Sequence, residues 1–252
     1  MFDAVDLTDD AFLGGRLRLW QPVSGYRAAT DPVLLAASVA AKPGQSVLDL
    51  GCGAGTASLC LGVRVAGLEL TGLEVQPDYA DLARRNAARN GLSLNVVDGD
   101  LAHIPPGLKR EFDHVIANPP YYARSGTPSP NAGRDTALRV DTAIADWVIC
   151  GARRLAPGGW LTMVMATDWL PEVLAACGGR LGSLAVLPLA ARVGQPGSRI
   201  IVQARKGGKR PFRLLAPFVL HQGVGHDADQ DSYTLVAKGV LRDGNDICSE
   251  FR

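Results

Sequence analysis

The tetrapeptide Asn118-Pro119-Pro120-Tyr121 places two hydrogen-bond acceptors beside an aromatic plate. It closes the apolar run Phe112–Ala117, which reads as a buried strand, so the tetrapeptide sits where a strand leaves its sheet. Consecutive prolines remove two backbone donors and stiffen the chain. What remains to offer is acceptors: the side-chain carbonyl of Asn118 and the backbone carbonyl of Pro119. Tyr121 can lay a flat face on a planar substrate. This set suits a planar group bearing an NH2, such as the exocyclic amine of adenine or cytosine, or a glutamine amide. Asn-Pro is also ordinary turn chemistry, and by itself the tetrapeptide fits a plain strand-ending turn equally well.

A second set of residues lies upstream. Ser46–Leu50 reads as a strand, followed by Gly51-Cys52-Gly53-Ala54-Gly55 and an apolar helix beginning near Thr56. Glycines there let backbone approach a ligand closely, and the helix N-terminus behind them presents free N–H groups. Nicotinamide sites use the related loop G-x-G-x-x-G. Here the third glycine comes one residue earlier and Asp49 precedes the loop, a version that resembles the S-adenosylmethionine (SAM) loop of class I methyltransferases. A second strand, Leu68–Val75, ends in Glu74, 23 residues after Gly51, where an acid is placed to bind ribose hydroxyls. A third, Leu94–Val97, runs into Asp98-Gly99-Asp100, where a carboxylate can accept from the adenine amine of the cofactor. The glycine loop alone is weak evidence; loop, two strand-end acids and Asn118–Tyr121 in this order are strong evidence.

Strands must alternate with helices to bring these loops to one side. Gly15–Gln21 alternates as a short strand, expected to pair across the Pro22–Tyr26 turn. Asp31-Pro32 opens a helix through Ala41, with Asp31 expected as its cap. A helix spans Pro77–Asn90 and closes at Gly91. Ala123–Asp135 is rich in Gly, Pro and Ser and long for a structureless loop, which marks it as functional or mobile. A helix over Arg139–Leu155 leads to a fifth strand at Trp160–Ala166, and Asp168–Cys177 reads as helical. Ser183–Ala190 and Arg199–Ala204 read as a terminal hairpin, with Arg213–Leu220 open as a further strand. The pattern predicts an α/β fold: a mostly parallel, seven-stranded sheet covered by helices on both faces, with a C-terminal antiparallel hairpin. One domain accounts for residues 1–252: an N-terminal extension over 1–45, a catalytic core over 46–205 and a basic tail over 206–252.

Composition fits a soluble cytoplasmic enzyme. The start, Met1–Asp10, is acidic, without the basic and apolar regions of a signal peptide, and no apolar run approaches a membrane span. The five cysteines (Cys52, Cys60, Cys150, Cys177 and Cys248) are odd in number and lack C-x-x-C pairing, so they read as reduced buried thiols. His103, His114, His221 and His226 lack metal-ligand spacing, and no metal is expected. Net charge is only +1, yet Val173–His226 holds no Asp or Glu and eight Arg or Lys, so the rest is net acidic. Such asymmetry favours a polyanionic partner over a merely solvated hairpin, with Lys206, Lys209 and Arg210 as the candidate contacts.

Taken together, the chain resembles class I SAM-dependent amino-methyltransferases with an N-P-P-Y motif. More closely it resembles the bacterial family that methylates adenine N6 beside the anticodon of a valine tRNA. The closer resemblance rests on Gly25-Tyr26-Arg27-Ala28-Ala29-Thr30-Asp31, Asp49–Gly55, Glu74 with the Asn86/Asn90 helix, and Asn118–Tyr122, and covers roughly residues 15–205. It implies a Rossmann-like fold, SAM as cofactor and RNA, foremost tRNA, as partner. It further implies Asn118, Pro119, Pro120 and Tyr121 as the catalytic segment, and Asp49, Gly51, Gly53, Gly55, Glu74, Asp100, Asn118 and Thr30 around SAM. Tyr121 would stack on a base turned out of the RNA. Tyr122 is a second wall or a core aromatic. Glutamine-N5 protein methyltransferases share the tetrapeptide, but that family carries a helical N-terminal domain, and here about 45 residues precede the glycine loop. A glutamate usual after their fifth strand is also missing from Thr162–Thr167. An idle RNA-binding protein with this fold is a third reading, weakened by intact Asn118 and Glu74.

Overall fold

The computed structural model describes residues 2–120, 142–223 and 232–251. Tyr121, Tyr122, the Ala123–Asp135 segment and the first three residues of the helix read over Arg139–Leu155 lie outside the described residues.

Seven strands form the frame of the main sheet: β3 (Ser46–Leu50), β4 (Glu69–Glu74), β5 (Asn95–Asp98), β6 (Phe112–Ala117), β7 (Leu155–Ala166), β8 (Leu181–Ala190) and β9 (Gly197–Lys206). They stand in the order β5-β4-β3-β6-β7-β9-β8, and β9 runs antiparallel to both neighbours while the other pairings are parallel. Helices of one face are α1 (Asp31–Ser38) and α2 (Thr56–Arg64), whose leucines share a cluster with Val47, Ile116 and Val164. The other face carries α4 (Ile144–Arg154) and α5 (Leu170–Cys177), packed on Leu48, Val115 and Leu161. Between them in sequence, α3 (Pro77–Arg89) buries Tyr79, Leu82 and Ala83. Neighbouring residues of β3 thus serve opposite faces, and all five of its residues are buried, as in a sheet covered on both sides.

Two short additions extend the expected frame. β10 (Arg213–Leu214) and β11 (Phe218–Val219) each pair in parallel with the edge strand β8, so the region read as one further strand is two dipeptides separated by Leu215–Pro217. Pro217 has no N–H to give a ladder, which interrupts the pairing. β7 starts five residues earlier than expected, at Leu155, immediately after α4. The tail is more than a basic appendage: α6 (Leu235–Leu241) and Ile247 and Phe251 join the cluster around α1, and Ile247 N–H donates to Ala37 O at 3.0 Å.

The N-terminal strand β2 (Leu17–Pro22) pairs with β1 (Leu7–Phe12), not across the Pro22–Tyr26 turn. Asp9 and Asp10 conceal β1 in the sequence; they are held by Arg18 and Arg89 and by Arg27 and Gln21. The free edge of β2 is met by Asn86 of α3 and, one turn on, by Asn90, which caps the helix. Asn86 accepts from Trp20 N–H at 2.8 Å and donates to Trp20 O at 3.1 Å, and Asn90 does the same for Arg18 at 3.0 and 2.8 Å. The two amides imitate a neighbouring strand. Asn86, fully buried, also donates to Ala54 O at 3.0 Å and so ties the hairpin to the glycine loop.

Candidate active site

Parallel register carries three motifs to the carboxyl edge of the sheet. Leu50 pairs with Ala117 and with Leu73, so Gly51 falls opposite both Asn118 and Glu74, while Glu74 itself pairs with Asp98. At about 4.8 Å per strand, Glu74 and Asn118 stand ~10 Å apart across the mouth of β3. A cavity of about 460 Å³ opens there, lined among others by Gly51, Gly53, Glu74, Asp100 and Asn118. Crevices at the carboxyl ends of strands in open α/β sheets are where ligands bind.

The glycine loop is bare backbone for two different reasons. At Gly51 an added Cβ would lie 2.6 Å from the Trp147 ring, which covers the loop from α4. At Gly53, with φ +55, an added Cβ would meet nothing within 4 Å, so the backbone itself borders open cavity. Glu74 reaches under this loop: its carboxylate accepts from Gly53 N–H at 2.8 Å and Gln76 N–H at 2.9 Å. Each oxygen spends one lone pair on these bonds and keeps another for a ligand hydroxyl. Burial raises the Glu74 carboxyl above the ordinary range, against the pull of those N–H groups. Asp49 lies beneath, 2 % exposed, accepting from Ser58 Oγ–H at 2.7 Å; burial pushes its carboxyl up to about 7. It borders a small recess that also touches Gln21, Tyr26 and Asn118. An acid able to hold a diol, exposed loop backbone and a second acid under it fit the ribose and methionine ends of SAM.

Some expected residues sit elsewhere. Asp98 is drawn off by Arg84, leaving Asp100 on the cavity wall, where one oxygen accepts from Ala102 N–H at 2.9 Å. Gly55 and Thr30 line neither the cavity nor the recess. Gly55, at φ +85, is where the turn packs against Ala83 and Leu94, with an added Cβ 3.3 and 3.2 Å from them. Thr30 offers its backbone carbonyl to Leu34 N–H at 3.0 Å at the start of α1. Asp31 is the first residue of α1, not its cap, and reaches Arg199 Nε at 3.4 Å. Pro119 is buried and Pro120 lines the cavity. Lys206, Lys209 and Arg210 are at the opposite edge: Lys206 follows the residue opposite Trp160 and donates to Leu155 O, at the start of β7. Tyr121 and Tyr122 lie outside the described residues.

Sequence reasoning assigned no role to four wall residues. Trp147, Tyr79, Gln76 and Tyr26 all line the cavity. Tyr26 Oη accepts from Asn118 Nδ2–H at 2.9 Å. Among the described residues, no group of three or more His, Cys, Asp or Glu is placed to hold a metal, and no helix is long and apolar enough to cross a membrane.

Strand order, glycine loop, the strand-end acid Glu74 and the Asn118 segment together mark a class I, SAM-dependent methyltransferase. Residues 29–175 match the model of the methyltransferase small domain, and the chain belongs to that family. Among curated relatives, the tRNA1(Val) (adenine(37)-N6)-methyltransferase of Porphyromonas gingivalis is 31% identical over 176 residues, 65% of this chain and 68% of the relative. The protein of the same description from Yersinia enterocolitica is 27% identical over 203 residues, 75% of this chain and 77% of its own. A structure from Agrobacterium tumefaciens, described as a predicted O-methyltransferase, is similar at TM-score 0.66 and 27% identity over 83% of this chain and 94% of that one. The Thermus thermophilus 16S rRNA N2 G1207 methyltransferase, solved with AdoMet and guanosine, shares the fold at TM-score 0.55 and 20% identity, over 79% of this chain and 50% of that one.

Proposed function

We infer that the chain methylates the N6 amine of an adenosine in tRNA. The observation that carries the reading is Asn118, set by register beside Gly51 and on the same cavity wall as Glu74. When bound, SAM supplies an electrophilic sulfonium methyl group. Glu74 and the loop backbone at Gly51 and Gly53 would hold it, with Asp100 toward its adenine and Asp49 beneath the loop. The chain's work on the acceptor is positional. An adenine amine is a poor nucleophile because its lone pair is delocalised into the ring. Asn118 Oδ1 and the Pro119 carbonyl accept its two hydrogens and turn the nitrogen toward a tetrahedral form, so alignment and electrostatics replace a general base. Pro120 closes the segment, and Tyr121, next in the sequence, is the aromatic to stack on the extruded base.

The descriptions of the relatives favour tRNA over other carriers of an NH2. Lys209 and Arg210 serve as phosphate contacts remote from the target base, on a molecule long enough to touch both edges of the sheet, whereas the Lys206 ammonium group is held by Leu155 O. The deciding experiment supplies radiolabelled SAM to the chain with total tRNA, ribosomal RNA and cell protein in parallel. Label recovered as N6-methyladenosine from tRNA is expected. Label in protein glutamine, in ribosomal RNA only, or in no fraction overturns the reading.

A further inference from the structure

An asparagine amide has two nearly isosteric ends, and a half-turn about its last bond exchanges an acceptor for a donor. For an amine acceptor this difference is decisive. With Oδ1 toward the cavity the amide takes an amine N–H; with Nδ2 there, donor faces donor. Something outside Asn118 must choose between these states, and one residue in contact with its amide is Tyr26, 92 positions away in the chain.

Tyr26 is held in place from three sides. Gln21 clamps the segment by accepting from Ala28 N–H at 2.6 Å and donating to Ala28 O at 3.1 Å. Tyr79 Oη–H donates to Tyr26 O at 3.0 Å. Gly25, at φ +115, lets the chain pass the Tyr79 hydroxyl, which would lie 2.9 Å from any added Cβ. The residue is 45% exposed, yet its hydroxyl end is enclosed, bordering both the cavity and the recess beneath the loop. Enclosure, then the charge of Asp31, pushes the phenol up to about 12, so it stays neutral and its oxygen can accept. Asp49 acts on it in the same sense.

We propose that Tyr26 is a positioning residue: by accepting from Asn118 Nδ2 it fixes the amide with its carbonyl oxygen turned to the incoming amine. The proposal rests on the reading of Asn118 as the amine acceptor. It goes beyond that reading in giving the wall residue a role in turnover rather than in binding.

The test is Tyr26→Phe, which keeps the ring and removes the hydroxyl. Single-turnover methylation of unfractionated tRNA at saturating SAM should fall about tenfold, the worth of one orienting hydrogen bond. SAM affinity and melting temperature should stay at wild-type values, because the ring still fills the wall. A rate within twofold of wild type overturns the proposal. So does a rate loss matched by an equal loss of SAM affinity, which would make Tyr26 a wall and nothing more. A second background sharpens the result. In Asn118→Asp the carboxylate presents oxygen whichever way it turns, so adding Tyr26→Phe should cost less than threefold; an equal cost in both backgrounds overturns the proposal. If Asn118→Asp has no measurable rate, the split between rate and SAM affinity in Tyr26→Phe decides alone. Asn118→Ala separates the two levels: full activity there sinks the acceptor reading, whereas an inactive Asn118→Ala beside a fully active Tyr26→Phe sinks only the role of Tyr26.

Discussion

The two edges of the main sheet use polar groups in opposite ways. At the carboxyl edge, Asp49, Glu74 and Asn118 are few, largely buried and each held by named partners: Ser58, the backbone of Gly53 and Gln76, and Tyr26. At the amino edge cations are more numerous and many are spent on backbone carbonyls. Lys206 serves Leu155 O, Arg205 serves Gly158 O at 2.9 Å, and Arg180 serves the last carbonyls of α5. Arg213 is used similarly on Phe251, and so, past the carboxyl end of β8, is Arg192 on Gln222 and Gly223. A run without acids therefore counts charge that the fold itself partly consumes. Chemistry follows the scarce, enclosed groups.

The sharpest way to break this contrast is Asn118→Ala. Its loss should lower single-turnover methylation by roughly 10²-fold or more, the usual effect of removing one positioned polar group. SAM affinity, measured by calorimetry, should hardly move; retention of most of the rate would end the contrast at once. Next in size is Glu74→Ala. Removing charge-assisted bonds to the ligand should weaken SAM binding by about 2–3 kcal/mol in a folded chain. Unchanged affinity would take Glu74 out of the site.

Asp49 offers a pH test. Its carboxyl titrates near 7 when folded, against 3.8 for the ordinary group. The folded chain therefore holds the proton more tightly, so this contribution to stability is complete below pH 4 and is lost as pH rises through 7. Denaturant titrations from pH 4 to 8 should show Asp49→Asn losing that decline; identical slopes in both chains would refute the buried acid. The smallest effect belongs to the amino edge. Lys209→Ala with Arg210→Ala should leave SAM binding intact and flatten the salt dependence of tRNA affinity by about one unit per side chain. Lys206→Ala should instead appear mainly as a lower melting temperature, since its ammonium group serves Leu155 O; the reverse pattern would place RNA directly on Lys206.

The parts legible in the sequence were those fixed by strand ends. Glu74, Gly51, Gly53 and Asn118 each follow an apolar run, and parallel register does the rest. The hairpin partner β1 was concealed because Asp9 and Asp10 interrupt its apolar alternation, and only the arginines that pair with them reveal it as a strand. Asp31 and Gly55 carry residue types that suit a cap and a ligand loop, yet long-range neighbours claim them: Arg199 for the first, Ala83 and Leu94 for the second. The role of Tyr26 had no local signal, since its partner is distant in the chain.

The asparagine pair at the end of α3 has a mechanical consequence. Because β1 and β2 form a sheet of their own, seated on α3 by two amides, the hairpin is a plug-in part with a standard joint. The segment that follows β2 is delivered to the cavity wall at a fixed height, as Tyr26 is here. A change in the length of that segment would move Tyr26 off Asn118, while Gly51, Gly53 and Glu74, carried by other strands, would keep their places.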